Sequence, residues 1–459
     1  MRPVYCILAS FAAGFALAYG GIAAATISIA GAIALWAFAE PRASLWLATA
    51  FMVFLFVFFQ QTAPLGEDLP EEFLYWGIGL AIITGGLFVA ALFSSTVDWR
   101  RAKDRLARPA SLAMLAILLV ILASSVYGIE QGNRSFAVLR QLFGCVLLPI
   151  FYFVAVALLR TPADAARWLR AVSWAVALGS LWYVERLSLA SAARGSYYRE
   201  QSPLVMYSGA VAVAAVCELA AGSGVLLRFT AAAQCAVCLL ATLLMGSRTA
   251  LGSFLAAVAA ILLVLIWRRW MLLLALAACL IPVAAGLAPY LLDRATGSRG
   301  VAGQIADRFI FPLDEDASYR GRVAQTAVVL AMVGRHPVLG AGMGSENTFV
   351  MPDGRRLKVA SVDNGWGYLL LKMGFLGLAA FLALAGFLLR RGLASLGSGA
   401  EASPPARPEA ASVALLGIFF YALVSFLSGP IFFHFSTAPF IAVVLGALVV
   451  SGEARAEAA

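Results

Sequence analysis

Asp363 and Asn364 stand directly before a long apolar run, in the stretch "SVDNGWGYLLLKMGFLGL" at residues 361–378. A carboxylate at this position can accept the proton of an attacking hydroxyl group when the two lie within hydrogen-bond reach. Aspartate is also a preferred N-cap at the start of a helix. The sequence leaves both roles open for Asp363, and a capping role does not exclude the catalytic one.

Arginines outside the basic loops form a second set of candidates. Arg248 lies in "GSRTA", between two apolar runs with almost no loop, so its guanidinium must reach the membrane surface or a cavity. The planar, permanently charged guanidinium suits recognition of a diphosphate, and snorkelling to the membrane edge is the alternative. For Arg194, Arg199, Arg320 and Arg322, position alone favours a solvated surface.

The composition indicates an integral membrane protein. Of the 459 residues, 62% are hydrophobic and 12% are charged, and the mean hydropathy is +0.90. Such a chain has too little polar surface to cover a water-soluble globule. Apolar stretches of about 17–25 residues can cross the bilayer as helices, so we expect an all-α polytopic bundle of about twelve to fourteen transmembrane helices. The predicted spans are 4–20, 22–39, 44–60, 73–96, 110–128, 137–159, 168–189, 204–221, 229–246, 250–266, 271–292, 364–389, 412–428 and 437–451.

Basic residues predict the orientation of this bundle, because short loops rich in Lys and Arg favour the cytoplasmic side. Four such loops fall on one side of the predicted spans, so both termini are expected in the cytoplasm and the first apolar run as a retained helix. These loops explain the net charge of +9, and no soluble basic domain that could bind nucleic acid is present in the sequence. Their basic residues are Arg100, Arg101, Lys103, Arg105, Arg108, Arg160, Arg167, Arg170, Arg268, Arg269, Arg390, Arg391 and Arg407.

One connection is much longer than the others, and it lies on the opposite side. It divides the chain into an N-terminal transmembrane bundle, residues 1–292, a large external loop, 293–363, and C-terminal transmembrane helices, 364–459. Long connections in compact proteins usually carry function or are disordered. This loop is not of low complexity, which favours a functional role.

The external loop contains a predicted amphipathic helix that ends at Pro337 and lies on the membrane surface. The glycine-rich turn "VLGAGMGS" follows, where the chain can pass close to another backbone. Tight packing against the bundle is the simpler interpretation of this turn, and a phosphate-binding loop is the alternative. The apolar residues of the helix are Val323, Ala327, Leu330, Ala331 and Met332.

The remaining motifs exclude several classes of protein. All six cysteines lie inside predicted spans, so we interpret the pair Cys235 and Cys238 as core packing and not as a metal or redox site. The sequence has no Walker loop, dinucleotide fingerprint or zinc-protease helix. We therefore predict no cofactor and no metal, and we do not expect an ATP-driven pump.

Three segments together resemble the O-antigen ligase and Wzy-type O-antigen polymerase family: "GSRTA", "YRGRVAQTAVVLAMVGRHPVLGAGMG" and "SVDNGWGYLLLKMGFLGLAAFL". The resemblance covers about residues 195–390 in order. It implies a bacterial inner-membrane glycosyltransferase that moves a glycan from undecaprenyl diphosphate to an acceptor hydroxyl at the periplasmic face, without a metal. Lipid A–core is the acceptor for a ligase, and a second lipid-linked repeat is the acceptor for an O-antigen or exopolysaccharide polymerase. Other polysaccharide assembly proteins are implied as partners.

The resemblance also implies roles for particular residues. Arg248 and Arg199 match family arginines that hold the diphosphate, and Arg322 matches an arginine at the start of the loop helix. His336 matches a common position before proline that is interpreted as structural.

The chain departs from the family at the proposed base. Ligases of the family usually have a histidine before the asparagine, whereas this chain has Asp363 followed by Asn364. We therefore expect Asp363, with Asn364 beside it, to form the catalytic pair. The aspartate in place of the family's histidine favours a polymerase slightly over a ligase.

A secondary transporter or a flippase, for lipid-linked oligosaccharide or another solute, is the alternative function. Such proteins have a similar number of helices and place ionisable groups near the middle of the bilayer. The sequence has no internal repeat, and its long external loop favours an enzyme. Candidate intramembrane charges are Arg140, Glu185, Arg186, Glu218 and Lys372.

Overall fold

The computed structural model describes residues 97–194, 204–221, 225–244, 247–265, 317–350, 356–359, 362, 364–397 and 407–452, with short pieces between residues 31 and 90. Across these ranges the chain is mostly helical. The elements are α1 (Trp99–Leu106), α2 (Pro109–Glu130), α3 (Ser135–Leu158), α4 (Pro162–Arg194), α5 (Leu204–Ala221), α6 (Val225–Leu244), α7 (Arg248–Leu265), α8 (Ala317–Arg335), β1 (Asn347–Val350), β2 (Arg356–Val359), α9 (Gly365–Gly397), α10 (Arg407–Ser425) and α11 (Ala438–Ser451).

The prediction of an all-α polytopic membrane protein is confirmed. Among the described residues, four helices are long and apolar enough to cross a membrane: Pro109–Glu130, Ser135–Leu158, Val225–Leu244 and Gly365–Ala394. Four apolar helices are shorter: Leu204–Leu219, Arg248–Ile261, Ala410–Ser425 and Ala438–Ser451.

Each predicted span from 110–128 onward coincides with one of these helices or with α4, apart from 271–292. That span and 4–20 lie outside the described residues, as do most of 22–39 and 44–60, whereas residues 82–90 of span 73–96 are helical. The division of the chain at residues 292 and 363 stays a prediction.

Small residues let the helices of the bundle pack closely, as is usual between membrane helices. α11 is buried along its length and packs against α3, α10 and α9. A Cβ at Gly446 of α11 would lie 2.7 Å from the Ala155 side chain of α3. Cys235 and Cys238 are buried as free thiols, which confirms that they pack in the core.

One end of the bundle is basic. Arg105 of α1 is only 2% exposed, and its guanidinium donates hydrogen bonds to the carbonyls of Val156 (2.9 Å), Leu159 (2.5 Å) and Arg160 (2.8 Å). These bonds satisfy carbonyls that the end of α3 leaves without helical partners. Arg391, near the end of α9, packs on Gly452 after α11. Three of the predicted basic loops, at 97–109, 159–170 and 390–391, therefore meet at one end, which we call the basic end.

The sequence predicts one continuous span at 364–389, but the structure breaks it. Gly374 has φ 63° and ψ −161°, a conformation outside the helix that glycine adopts most readily. The ring centroids of Trp366 and Phe381 are 5.6 Å apart, although fifteen residues of straight helix would separate their Cα atoms by roughly 22 Å. The chain therefore turns back at Gly374. We call residues 365–373 the short arm, residues 375–397 the long arm, and the pair the α9 hairpin.

The two arms differ in length, and only one of them is long enough to span the membrane. At 1.5 Å per residue the long arm measures about 34 Å and can span the hydrocarbon, whereas the short arm measures about 13 Å and cannot. Gly377 in the long arm permits the two arms to approach each other closely, since a Cβ there would meet the side chains of Met373 and Leu369 in the short arm. The short arm therefore does not cross the bundle, whereas the long arm leads to the basic end, where Arg391 packs on Gly452.

The external loop also contains a small sheet that the sequence analysis did not predict. Strands β1 and β2 pair antiparallel, with Phe349 opposite Leu357. The helix predicted before Pro337 is confirmed as α8, which packs against α9 and β1. Its buried residues are Val329 and Val333, whereas Val323 and Leu330 of the predicted apolar face are 54% and 60% exposed. α8 is therefore apolar on two sides, one toward the protein and one away from it.

Candidate functional site

The start of the short arm resolves the question of the helix cap. α9 begins at Gly365, and the side-chain oxygen of Asn364 accepts hydrogen bonds from the backbone N–H groups of Trp366 (3.0 Å) and Gly367 (3.4 Å). These are the bonds of an N-cap residue. Asn364, not Asp363, therefore caps the helix. Asp363 itself lies outside the described residues.

The described residues Val362 and Gly365, which flank Asp363 and Asn364 in the sequence, are both held by tertiary contacts. On one side, Val362 is 1% exposed and belongs to a cluster with Val329 and Val333 of α8. On the other side, the N–H of Gly365 donates to the carbonyl of Phe426, just after α10, at 2.8 Å. Val362 is thus packed on α8, and Gly365 is bonded to the end of α10.

Arg248 is the first residue of α7 and is half-buried. The hydroxyl of Ser247 accepts the N–H of Ala250 at 3.2 Å, so Ser247 caps this helix. A helix N-terminus carries partial positive charge and free N–H groups, which favour anions. Arg248 therefore stands at a helix start whose own charge distribution already favours a negatively charged ligand.

Contacts bring the starts of several elements to one end of the bundle. Tyr421 of α10 donates to the carbonyl of Val205 at 3.3 Å, which places the start of α5 beside the end of α10. Because α5, α6 and α7 are joined by short connections and α6 packs on both its neighbours, Arg248 lies at the same end as Leu204. The short arm enters at this end too, through Phe426. We call this end, opposite the basic end, the site end.

The glycine-rich turn packs against the bundle and does not form an open phosphate loop. Gly340, Gly342 and Gly344 all have positive φ, between 66° and 79°. A Cβ at Gly342 would lie 2.6 Å from the Cα of Gly128 in α2, and one at Gly344 would lie 2.9 Å from the backbone nitrogen of Val138 in α3. The interpretation of tight packing is therefore confirmed.

Hydrogen bonds fix the same turn to the connection between α2 and α3, to α3 and to the short arm. Asn133, between α2 and α3, donates to the carbonyls of Ala341 (3.3 Å) and Met343 (2.9 Å). The side chain of Gln141 accepts the N–H of Gly344 at 2.8 Å. The N–H of Ala341 donates to the carbonyl of Leu371 in the short arm at 2.7 Å. Sequence reasoning missed Asn133 and Gln141, because both partners lie some 200 residues away along the chain.

The break at Gly374 leaves backbone N–H groups without helical hydrogen-bond partners, and the segment that leads into the glycine-rich turn supplies those partners. The N–H groups of Phe375 and Leu376 donate to the carbonyls of Pro337 (2.9 Å) and Val338 (3.2 Å). Inside a membrane protein such groups must find partners within the protein. The glycine-rich turn and the tip of the α9 hairpin are therefore one structural unit.

His336 is part of this packing. Its Nδ1 lies 2.9 Å from the hydroxyl of Tyr127 in α2, and the two rings meet edge to face with centroids 6.2 Å apart. This bond links the end of α8 to α2. The contact fits the structural interpretation of His336.

We expect His336→Ala to keep the glycan-transfer activity that the resemblance implies within a few-fold of the unchanged protein, because it removes one hydrogen bond worth about 1 kcal/mol. Tyr127→Phe removes the same bond and is the matched variant. Initial rates and melting temperatures of both purified variants test this. Loss of turnover in His336→Ala alone, with both variants folded, would assign a chemical role to the imidazole.

The positions of the side chains of two other predicted site residues, Arg199 and Arg322, are not given by the structure. Arg199 lies outside the described residues, in the stretch directly before α5, whose start is at the site end. The backbone of Arg322 is in α8, and its side chain is outside the description. The structure thus places the start of α7, which carries Arg248, at the same end as the starts of α5 and α9, which follow Arg199 and Asp363 in the sequence.

The fold and this end define a class of protein: a polytopic membrane protein with a capped, arginine-bearing helix start and a broken helix, the α9 hairpin, at one end. Residues 233–382 match the family model described as "Wzy_C: O-Antigen ligase". The matched segment is about a third of the chain, and it contains Arg248, the glycine-rich turn and the tip of the α9 hairpin. A comparison with curated proteins finds no match to this sequence.

The family predicted from the sequence is therefore confirmed over residues 233–382. The protein is an integral membrane protein, and its residues 233–382 resemble the O-antigen ligase family, which supports glycan transfer in general.

Proposed function

We propose that this protein transfers a glycan from undecaprenyl diphosphate to a sugar hydroxyl at the periplasmic face of the bacterial inner membrane. The observation that carries the proposal is that the O-antigen ligase match spans both Arg248 and the Asp363–Asn364 pair. The shared location of the α7 start and the short arm supports it, since donor and acceptor must meet.

In the proposed reaction the acceptor oxygen attacks the anomeric carbon of the donor glycan, and the bond from that carbon to the diphosphate oxygen breaks. Asp363 takes the proton of the attacking hydroxyl, as a positioned general base. The lipid diphosphate leaves with the bonding electrons. Attack from the side opposite the leaving group inverts the configuration at this carbon.

Arg248, with Arg199 and Arg322, is proposed to neutralise the diphosphate as it leaves. Donors placed where charge develops contribute a few kcal/mol each to the rate. The Ser247-capped start of α7 adds its N–H groups and dipole to the guanidinium of Arg248. With the charge neutralised in this way, the proposed reaction requires no metal.

Asn364 is proposed to hold the short arm in place beside the base. Its side-chain oxygen is engaged by two backbone N–H groups of the arm. The aspartate in place of the ligase histidine favours a polymerase, which extends a lipid-linked repeat for O-antigen or exopolysaccharide. A ligase, whose acceptor is lipid A–core, is the related possibility.

Purified protein in liposomes, supplied with the lipid-linked repeat of its host, tests the proposal. We expect a longer or transferred glycan in the absence of any ion gradient or nucleotide. Chain length is read by gel electrophoresis and anomeric configuration by NMR. Movement of unchanged lipid-linked repeat between leaflets would instead establish a flippase.

A transporter is the second candidate, because two features of the structure are typical of transporters. The α9 hairpin is a broken helix, and Lys372 at its tip is 0% exposed. The liposome experiment separates the two functions, since only an enzyme makes a new glycosidic bond.

A further inference from the structure

Lys372 is the most unusual charged residue of the described bundle. Its side chain is 0% exposed, and it lies in the last turn of the short arm, one residue from the break region at Gly374. Removing an ammonium group from water is costly unless it is fully hydrogen-bonded. Ionisable groups buried in membrane helices usually mark functional positions.

The ammonium of Lys372 is bound by the glycine-rich turn. Nζ donates to the carbonyl of Ser345 at 2.5 Å and lies 2.9 Å from its hydroxyl. The carboxylate of Glu346, the next residue, attracts the ammonium electrostatically. The side chain thus ties the arm to the two residues that lead directly into β1.

The backbone of the same residue is bound from another direction. The hydroxyl of Ser124 in α2 donates to the carbonyl of Lys372. Lys372 therefore joins α2, the short arm and the glycine-rich turn at one point. An apolar residue of equal volume would fill the space but would make none of the bonds from Nζ.

We propose that Lys372 is a positioning residue for glycan transfer: by fixing the tip of the α9 hairpin to the glycine-rich turn, it sets where Asp363 and Asn364 stand. The inference rests on the proposed function. Lys372 acts through the arm and does not touch the reacting atoms.

The geometry of the arm explains why the tip matters. The short arm is a rigid helix about 13 Å long, with Lys372 near one end and Asn364 at the other. A tilt of roughly 5° at the tip displaces the far end by about 1 Å over this length. A misplacement of about 1 Å can lower a rate by about 10²-fold.

Lys372→Met tests the proposal, because methionine has a similar volume and no ammonium. We expect kcat to fall on the order of 10²-fold while KM stays within about twofold. Ser345→Ala removes one of the two bonds from Nζ and should lower kcat by about fivefold. Lys103→Met, at an exposed lysine of α1 near the basic end, is the matched control and should keep the wild-type kcat.

Hydrogen exchange gives a readout that does not depend on activity. In Lys372→Met we expect faster exchange in peptides covering residues 338–346 and 362–376, and unchanged exchange across residues 407–451. A Lys372→Met variant with the wild-type kcat would overturn the proposal. A large rise in KM with unchanged exchange would also overturn it, because Lys372 would then bind substrate directly.

Two further outcomes keep the test decisive. If Lys372→Met does not fold, the Ser345→Ala variant becomes the test of the proposal. A folded Ser345→Ala protein with wild-type kcat and wild-type hydrogen exchange would overturn it. The proposed function fails separately, when the unchanged protein makes no glycosidic bond in liposomes.

Discussion

Arg248→Ala is expected to lower glycan transfer by about 10²–10³-fold or more, while the protein still inserts and folds. The reason is that the substitution removes a guanidinium proposed to stabilise the leaving diphosphate, a contribution of a few kcal/mol. It disturbs little else, because Arg248 is half-buried at the first position of α7 and alanine is a good helix former. Initial rates with the lipid-linked repeat, beside a melting curve, measure both effects.

Two variants sharpen this experiment. Arg248→Lys keeps the charge but not the two-pronged geometry, so it should recover only part of the rate. Arg228→Ala, at an exposed arginine near the start of α6, is the matched control and should be fully active. Full activity of Arg248→Ala would reject a role in diphosphate binding and leave snorkelling as the explanation for this arginine.

Asp363→Asn is expected to lower turnover by about two to four orders of magnitude, the usual contribution of a positioned base. The melting temperature should hardly change. Because Asn364 caps α9, removing the charge at position 363 leaves the cap intact. The pH dependence of kcat/KM in the unchanged protein should show an acidic limb that this variant lacks. An active Asp363→Asn protein would remove the carboxylate from the mechanism.

Substitutions at the neighbouring positions separate the base from the cap. Asn364→Asp keeps a side chain that caps well and should retain most of the stability, whereas Asn364→Ala should cost about 1 kcal/mol. Asp363→His restores the histidine–asparagine pair of the family, and rescue over the Asn variant would support a base at this position. A variant Asn364→Asp that folds but does not turn over would assign chemistry to the amide as well.

The sequence predicted the helices well because lipid imposes a simple condition. A span must be apolar over about 20 residues and must satisfy its own backbone. The helices α2, α3, α5, α6, α7, α10 and α11 therefore lie where their apolar runs were read. The family resemblance, and not hydropathy, suggested that Arg248 opens a helix and that His336 is structural; the helix start is observed, and the Tyr127 contact agrees with the second prediction.

The α9 hairpin could not be predicted in this way. Residues 364–389 are apolar throughout, and hydropathy measures contact with lipid but not the direction of the chain. Gly374 permits a positive φ without requiring it. The turn becomes stable only because Pro337 and Val338 accept the N–H groups that the break releases.

The sequence by itself determined a membrane bundle, which follows from composition, and local motifs indicated the family that matches residues 233–382. The tertiary structure decided which residue caps the short arm and where that arm lies. It also decided that Lys372, predicted as one of several intramembrane charges, bonds Ser345 twenty-seven residues earlier. The physical reason is that a buried donor or freed backbone group needs a partner in space, and the fold alone supplies that partner.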